Sequence, residues 1–264
     1  MTRTDFTELT DDQKNILAAG FNHLWEIGMI ESNAELHRAN FTNGIHWGPA
    51  FLPWHRDFLR KLELALQDFD SSISLPYWDW TRTDSRDLDV SPWKEFFGGR
   101  SNSGGNFDDW TYVRNDSNVG TLPSIDDVII ELEANSFLNF RRIESGSHVP
   151  GHTWTGGTMA SGRSPLDPLF YLHHCNIDRL WAIWQLNNPE AVQYEHTGEI
   201  DSDRVPQARV PIDSQMVQGA DDVEGVTPSS VLDHVSLGYT YQRDERLESA
   251  WLEKNGTPLI SHAE

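Results

Sequence analysis

The 264-residue chain has a single cysteine, Cys175, so no disulfide can form within it. Basic side chains are scarce. Twenty Lys and Arg stand against 41 Asp and Glu, a net charge of −21 with His neutral. That balance argues against nucleic acid and anionic membrane surfaces as partners, because both repel a polyanion. No apolar run reaches the roughly 18 residues that a membrane-spanning helix needs. The N-terminal stretch Met1-Thr-Arg-Thr-Asp-Phe-Thr-Glu8 has no apolar leader core. The expected location is cytoplasmic, with export on a partner's signal as the other route. There is no repeat of fixed period.

Aromatic residues are plentiful. Eleven Trp and twelve Phe can build a core without a staple. Helical signals recur along the chain. Thr10-Asp-Asp-Gln13 has the form of a capping box, and the segment after it places Ile16, Leu17, Phe21, Leu24 and Trp25 on one face up to Gly28. Ser32-Asn-Ala-Glu35 reads as a second box opening a short helix that carries His37. Pro53 suits the first turn of a helix through His55, Phe58, Leu59, Leu62 and Leu66. Leu75 to Trp80 reads as extended, residues 81–123 as long loops, and Ser124 as the cap of a helix through Leu132. Residues 144–165, rich in glycine, read mostly as loop. Ser164-Pro165 then opens a long helix that Asn187-Asn-Pro189 ends. The expected fold is mainly α: a single domain over 1–241, its core a four-helix bundle, followed by a short C-terminal tail over 242–264.

Histidines mark the chemistry. His148 and His152 lie four apart, one face of a helix, and His174 sits on the long helix with Asp178 one turn on, placed to hold its ring. His55, with His46 and His37 upstream, forms a second group. His23 is a rival to His37, which is preferred. Of the adjacent pair His173 and His174, only one can face a site, since neighbours on a helix point about 100° apart. Three neutral imidazoles per ion suit copper, zinc, iron or nickel, so the two groups point to a binuclear transition-metal centre.

Two longer patterns carry a resemblance. His46-x4-Phe51-Leu52-Pro53-Trp54-His55-Arg56-x2-Leu59-x3-Glu63 resembles the first copper signature of the tyrosinase family, and Asp167-Pro168-x-Phe170-Tyr171-x2-His174-x3-Asp178 its second. Tyr239-Thr-Tyr241 is similar to the tyrosine pair that closes the family's catalytic domain. The resemblance implies two copper ions, one held by His37, His46 and His55, the other by His148, His152 and His174. It implies oxidation of o-diphenols or o-aminophenols to o-quinones with dioxygen, as in a tyrosinase or catechol oxidase, with ortho-hydroxylation of monophenols such as tyrosine as a further activity. Phe170 matches a bulky residue shielding the second copper, and Glu144 a catalytic glutamate that holds a water. Val149 stands where efficient hydroxylases often have Asn, and Thr153 would line the substrate mouth. The thioether cysteine of many eukaryotic members has no counterpart, so Cys175 reads as a small buried helix residue. About twenty residues follow Tyr241, too few for a shielding domain, so an open site is expected, as in short bacterial members. Besides a small phenol and dioxygen, a copper-loading accessory protein is a possible partner. Two other readings stay open: a haemocyanin-like oxygen carrier and a His-ligated zinc hydrolase.

Overall fold

The structure, a computed structural model, describes residues 1–115, 120–196, 210–216 and 225–263. Helices dominate it. Helix α1 (Asp11–Glu26) starts at the Thr10–Gln13 capping box, both halves of which form, and buries Leu17, Phe21 and Leu24. Gly28 takes a left-handed φ of 78°, which a side chain would resist, and turns the chain straight into α2 (Met29–Asn40). The start expected at Ser32 is therefore corrected. The glycine turn begins the helix earlier, because Ile30, Ala34 and His37 already share its buried face.

Helix α3 (Phe51–Phe69) has Pro53 in its first turn, as expected, and buries Phe58, Leu59, Leu62 and Leu66. Residues 75–80 are extended, and Trp78 N–H donates to Leu172 O at 3.0 Å. The segment 81–115 is irregular apart from a 3-10 turn at Thr83–Ser85 and α4 (Trp93–Phe97). It stays in place because Trp93, Phe96, Phe97 and Phe107 stack around Phe6 and one another. The loop expectation also covered 116–119, which lie outside the described residues. Ser124 and Asp127 cap α5 (Ile125–Leu132), and α6 (Phe137–Phe140) follows.

Residues 144–165 hold more helix than their glycines suggested. They contain α7 (His148–Thr155), flanked by 3-10 turns at 141–144, 157–160 and 164–166. Ser164-Pro165 belongs to the last of these, and the long helix α8 (Leu169–Asn187) begins only after Pro168. Sixteen consecutive residues of α8, Leu169 to Trp184, are buried, Cys175 among them. The helix is thus surrounded on all sides rather than laid on a surface. Helices α2, α3, α7 and α8 make the bundle: α3 packs on α8, α7 on α8, and the turn at 164–166 on α2. Residues 242–264, expected as a tail, include α9 (Glu245–Asn255), anchored by buried Leu247 and an ion pair from Lys254 to Glu133 at 3.6 Å.

The only strands among the described residues are β1 (Thr2–Arg3) and β2 (Thr240–Tyr241), paired in parallel with Arg3 opposite Tyr241. This brings Arg3 into a buried ionic cluster. Its guanidinium bonds Glu63 at 2.9 Å and Asp178 at 3.3 Å. Asp178 also accepts from Arg56 at 2.5 Å and from the hydroxyls of Tyr239 at 2.7 Å and Tyr241 at 2.5 Å. Burial alone would push the Asp178 carboxyl up. Arg56 and Arg3 more than offset that and hold it below the usual carboxylate range.

Candidate metal centre

The six expected ligands converge in two triads. Within each, one nitrogen per ring lies within 4.8 Å of the other two. In the first triad His37 comes from the last turn of α2, His55 from the first turns of α3, and His46 from the loop between them. In the second, α7 presents His148 and His152 on one face, and α8 presents His174. The triads adjoin, with His55 stacked on His174 at 4.4 Å between ring centroids and His46 on His148 at 5.6 Å.

Five of the six rings are aimed from the far nitrogen. Nδ1 of His37 donates to Gly162 O at 2.7 Å, of His55 to Phe51 O at 2.8 Å, of His152 to Met159 O at 2.7 Å and of His148 to Glu144 O at 3.2 Å. Nδ1 of His46 meets Glu144 Oε1 at 3.1 Å. A proton fixed on Nδ1 leaves Nε2 as a bare lone pair. Yet Nε2 of His37 and His46 lie 3.0 Å apart, and those of His148 and His152 2.9 Å apart. His174 Nε2 lies 3.1 Å from that of His152, and His55 Nε2 is buried without a partner. Facing lone pairs repel unless a cation sits between them. Nitrogens about 2.0–2.1 Å from one ion lie roughly 3.3 Å apart, close to what is seen. The donor set therefore fits one borderline transition-metal ion per triad. No carboxylate joins either triad among the described residues, unlike the mixed sets of many zinc hydrolases.

Burial makes a proton a poor substitute for that ion. It depresses His37 and His46 from 6.5 to about 3 and drives the other four ligands well below 6.5. In the metal-free protein the unfolded chain takes up these protons first. Stability is then full above about pH 6.5 and is lost as pH falls toward 3. Glu144 and Glu131, pushed up to about 8 by burial, and Asp5, pushed up to about 6, work in the opposite sense, but they are three groups against the six ligands together with His173 and His234, both lowered to about 4. Metal-free protein should melt markedly lower at pH 5 than at pH 7, and metal-loaded protein should lose less, since bound metal holds the rings deprotonated. A metal-free melting temperature that stays flat between those pH values would contradict this.

Asp178 does not hold His174, contrary to expectation. It is committed to Arg3, Arg56, Tyr239 and Tyr241, and His174 Nδ1 is buried without a partner. His174 is positioned instead by stacking, on His55 and on Phe170 at 4.1 Å. His173 turns away, its Nε2 on His148 O at 2.9 Å and its ring against Gly151, where an added Cβ would lie 2.3 Å from Cε1. His23 stays outside the triads, stacked on Phe69.

A pocket of about 160 Å³ opens on His37, His46, His148 and His152. Its outer wall is Phe41, Trp47, Val149, Thr153, Met159 and Ala160. Val149 and Thr153 are where they were expected. Phe170 is fully buried among the ligand rings and does not line this pocket. Phe41, Trp47 and Met159 carry no motif. The one hint in the sequence is that Trp47 directly follows a ligand.

The family model described as the common central domain of tyrosinase matches residues 29–117 and 100–187. The tyrosinase of Streptomyces antibioticus is 32% identical over 283 residues, covering 90% of this chain and 98% of its own length. The chain belongs to the tyrosinase family. As a member it is a type 3 copper oxidoreductase, and its two triads are suited to a pair of copper ions. The fold agrees with solved relatives too distant in sequence to show more than fold. A latent aurone synthase superposes with a TM-score of 0.68 at 17% identity, covering 93% of this chain and 58% of that one. An octopus hemocyanin functional unit gives 0.64 at 20%, covering 96% and 73%.

Proposed function

We propose that the copper-loaded protein oxidises o-diphenols or o-aminophenols to o-quinones with dioxygen, and hydroxylates monophenols such as tyrosine more weakly. The observation that carries this is the pocket. It opens on ligands of both triads, is walled by apolar side chains, and has the volume of one aromatic ring, since a cavity of roughly 150 Å³ holds benzene. Copper supplies the redox step by cycling between two oxidation states. The protein supplies ring orientation through the Nδ1 anchors, a ring-sized pocket, and a buried carboxyl. Glu144 is the candidate base. Its Oε1 accepts from Trp47 N–H at 2.6 Å and meets Nδ1 of His46 at 3.1 Å, so a carboxyl group stands directly behind a ligand ring.

Oxygen uptake by copper-loaded protein with catechol, o-aminophenol and tyrosine in parallel tests the reading. Catechol and o-aminophenol should be fast and tyrosine slow with a lag. Reversible oxygen binding without turnover of any of them would favour a carrier, the other role that this fold supports.

Val149 sets the expected balance. It stands one residue from His148 at the mouth, and its isopropyl group can neither donate to nor accept from a water beside Glu144. Val149→Asn should raise tyrosine hydroxylation relative to diphenol oxidation about three- to tenfold, because orientation of a base carries rate. An unchanged ratio in the variant would remove Val149 as the limiting residue.

A further inference from the structure

Trp47 is the one large apolar residue among those described with a left-handed backbone, at φ 62°. A bulky side chain resists that conformation, and such strain persists where surrounding contacts over-determine it. The contact here is the Trp47 N–H bond to Glu144, beside ligand His46. The outcome is an indole held at the pocket rim, 6.3 Å from the His46 ring and half exposed to solvent.

The rest of the rim is uncharged among the described residues. Two of its hydroxyls are committed to the backbone: Thr153 donates to Val149 O and Pro150 O, and Ser161 to Thr158 O. The nearest arginines by sequence, Arg38 and Arg163, are both paired to Glu35, at 2.7 and 3.0 Å. A phenol carrying an amino-acid head group would bring two charges to a mouth that answers neither. A phenol with an apolar para substituent would lay it against the indole.

From this we infer that Trp47 is a specificity-determining residue that selects phenols with uncharged, apolar para substituents. The inference rests on the oxidase reading for its placement of the ring over the triads. Its test is binding, measured by calorimetry on copper-loaded protein without dioxygen, so that no turnover occurs. The probes are 4-tert-butylphenol and L-tyrosine. Each buried methylene is worth about fourfold, so 4-tert-butylphenol should bind at least about tenfold more tightly. Trp47→Gly, which fits the left-handed backbone, should shrink that ratio about tenfold. Trp47→Phe, still aromatic, should keep most of it. Two coppers per chain in each variant show that the site is intact.

Equal or reversed affinities in the wild type would overturn the inference, as would a ratio that Trp47→Gly leaves unchanged. Selective binding without oxygen uptake on catechol would leave the selectivity standing and sink the oxidase reading instead. Oxygen uptake with no binding preference would do the opposite.

Discussion

Replacing His174 by alanine should leave one copper per chain and reduce diphenol oxidation by at least about 100-fold, since passing the diphenol's electrons to dioxygen would need both metals of the pair. His148 and His152 alone would have to hold the second ion, their Nε2 atoms 2.9 Å apart and the third direction open. A three-histidine site that loses a ligand loses affinity steeply, because the remaining two share one face of α7 and cannot close around the ion. The change should also reach the first triad, because His55 gives up its stacking partner at 4.4 Å. His234→Ala is the control. That ring packs on Tyr239 and Tyr241 and belongs to neither triad, and the variant should keep two coppers. Metal analysis that finds two coppers in His174→Ala would end this ligand assignment.

The second large effect should be on stability. Asp178→Ala should cost about 3–5 kcal/mol, because it strands buried cations. Arg56 lies under Trp181 at 3.7 Å and would be left with the carbonyls of Val231 and Leu232 and the Gln185 amide oxygen. Arg3 would keep Glu63 but lose its bond to Asp178. The Tyr239 hydroxyl would lose its acceptor, and the Tyr241 hydroxyl would keep only the Cys175 carbonyl, at 3.2 Å. Copper stoichiometry of the folded fraction should stay at two, since Asp178 touches no ligand. Urea unfolding that shows a loss below about 1 kcal/mol would mean that the cluster is relaxed by water rather than by Asp178.

The ligands were legible because most of each triad is encoded locally, with His174 marked by its own motif on α8. His148 and His152 need only one helical face, and His46 and His55 belong to one short stretch that folds as a unit. Their partners were not. The i+4 offset from His174 to Asp178 is correct as helix geometry. It is silent about Arg3, Arg56, Tyr239 and Tyr241, which reach Asp178 from distant parts of the chain. Helix α7 was hidden by Pro150 and Gly151, residues that break helices in general. Here the proline falls in the first turn, where its missing N–H costs nothing, and the glycine makes room for His173. Helix α9 was hidden because only Leu247 is buried along it, too little for a periodic signal. The rim residues Phe41 and Trp47 come from the loop between α2 and α3, and Met159 from the 3-10 turn at 157–160, and only the packed bundle brings them to one opening.

The parallel pairing of β1 with β2 bears on the pace of folding. Helical proteins gain speed from contacts between near neighbours in sequence. In this chain the ionic cluster closes only when Arg3 meets Tyr241, residues 238 apart. Helices can form early, but the charges of Arg3, Arg56 and Asp178 stay hydrated until the two ends of the fold come together, and the entropy of that closure must be met first. Refolding should therefore be limited by this late seam and run slower than its helix content suggests.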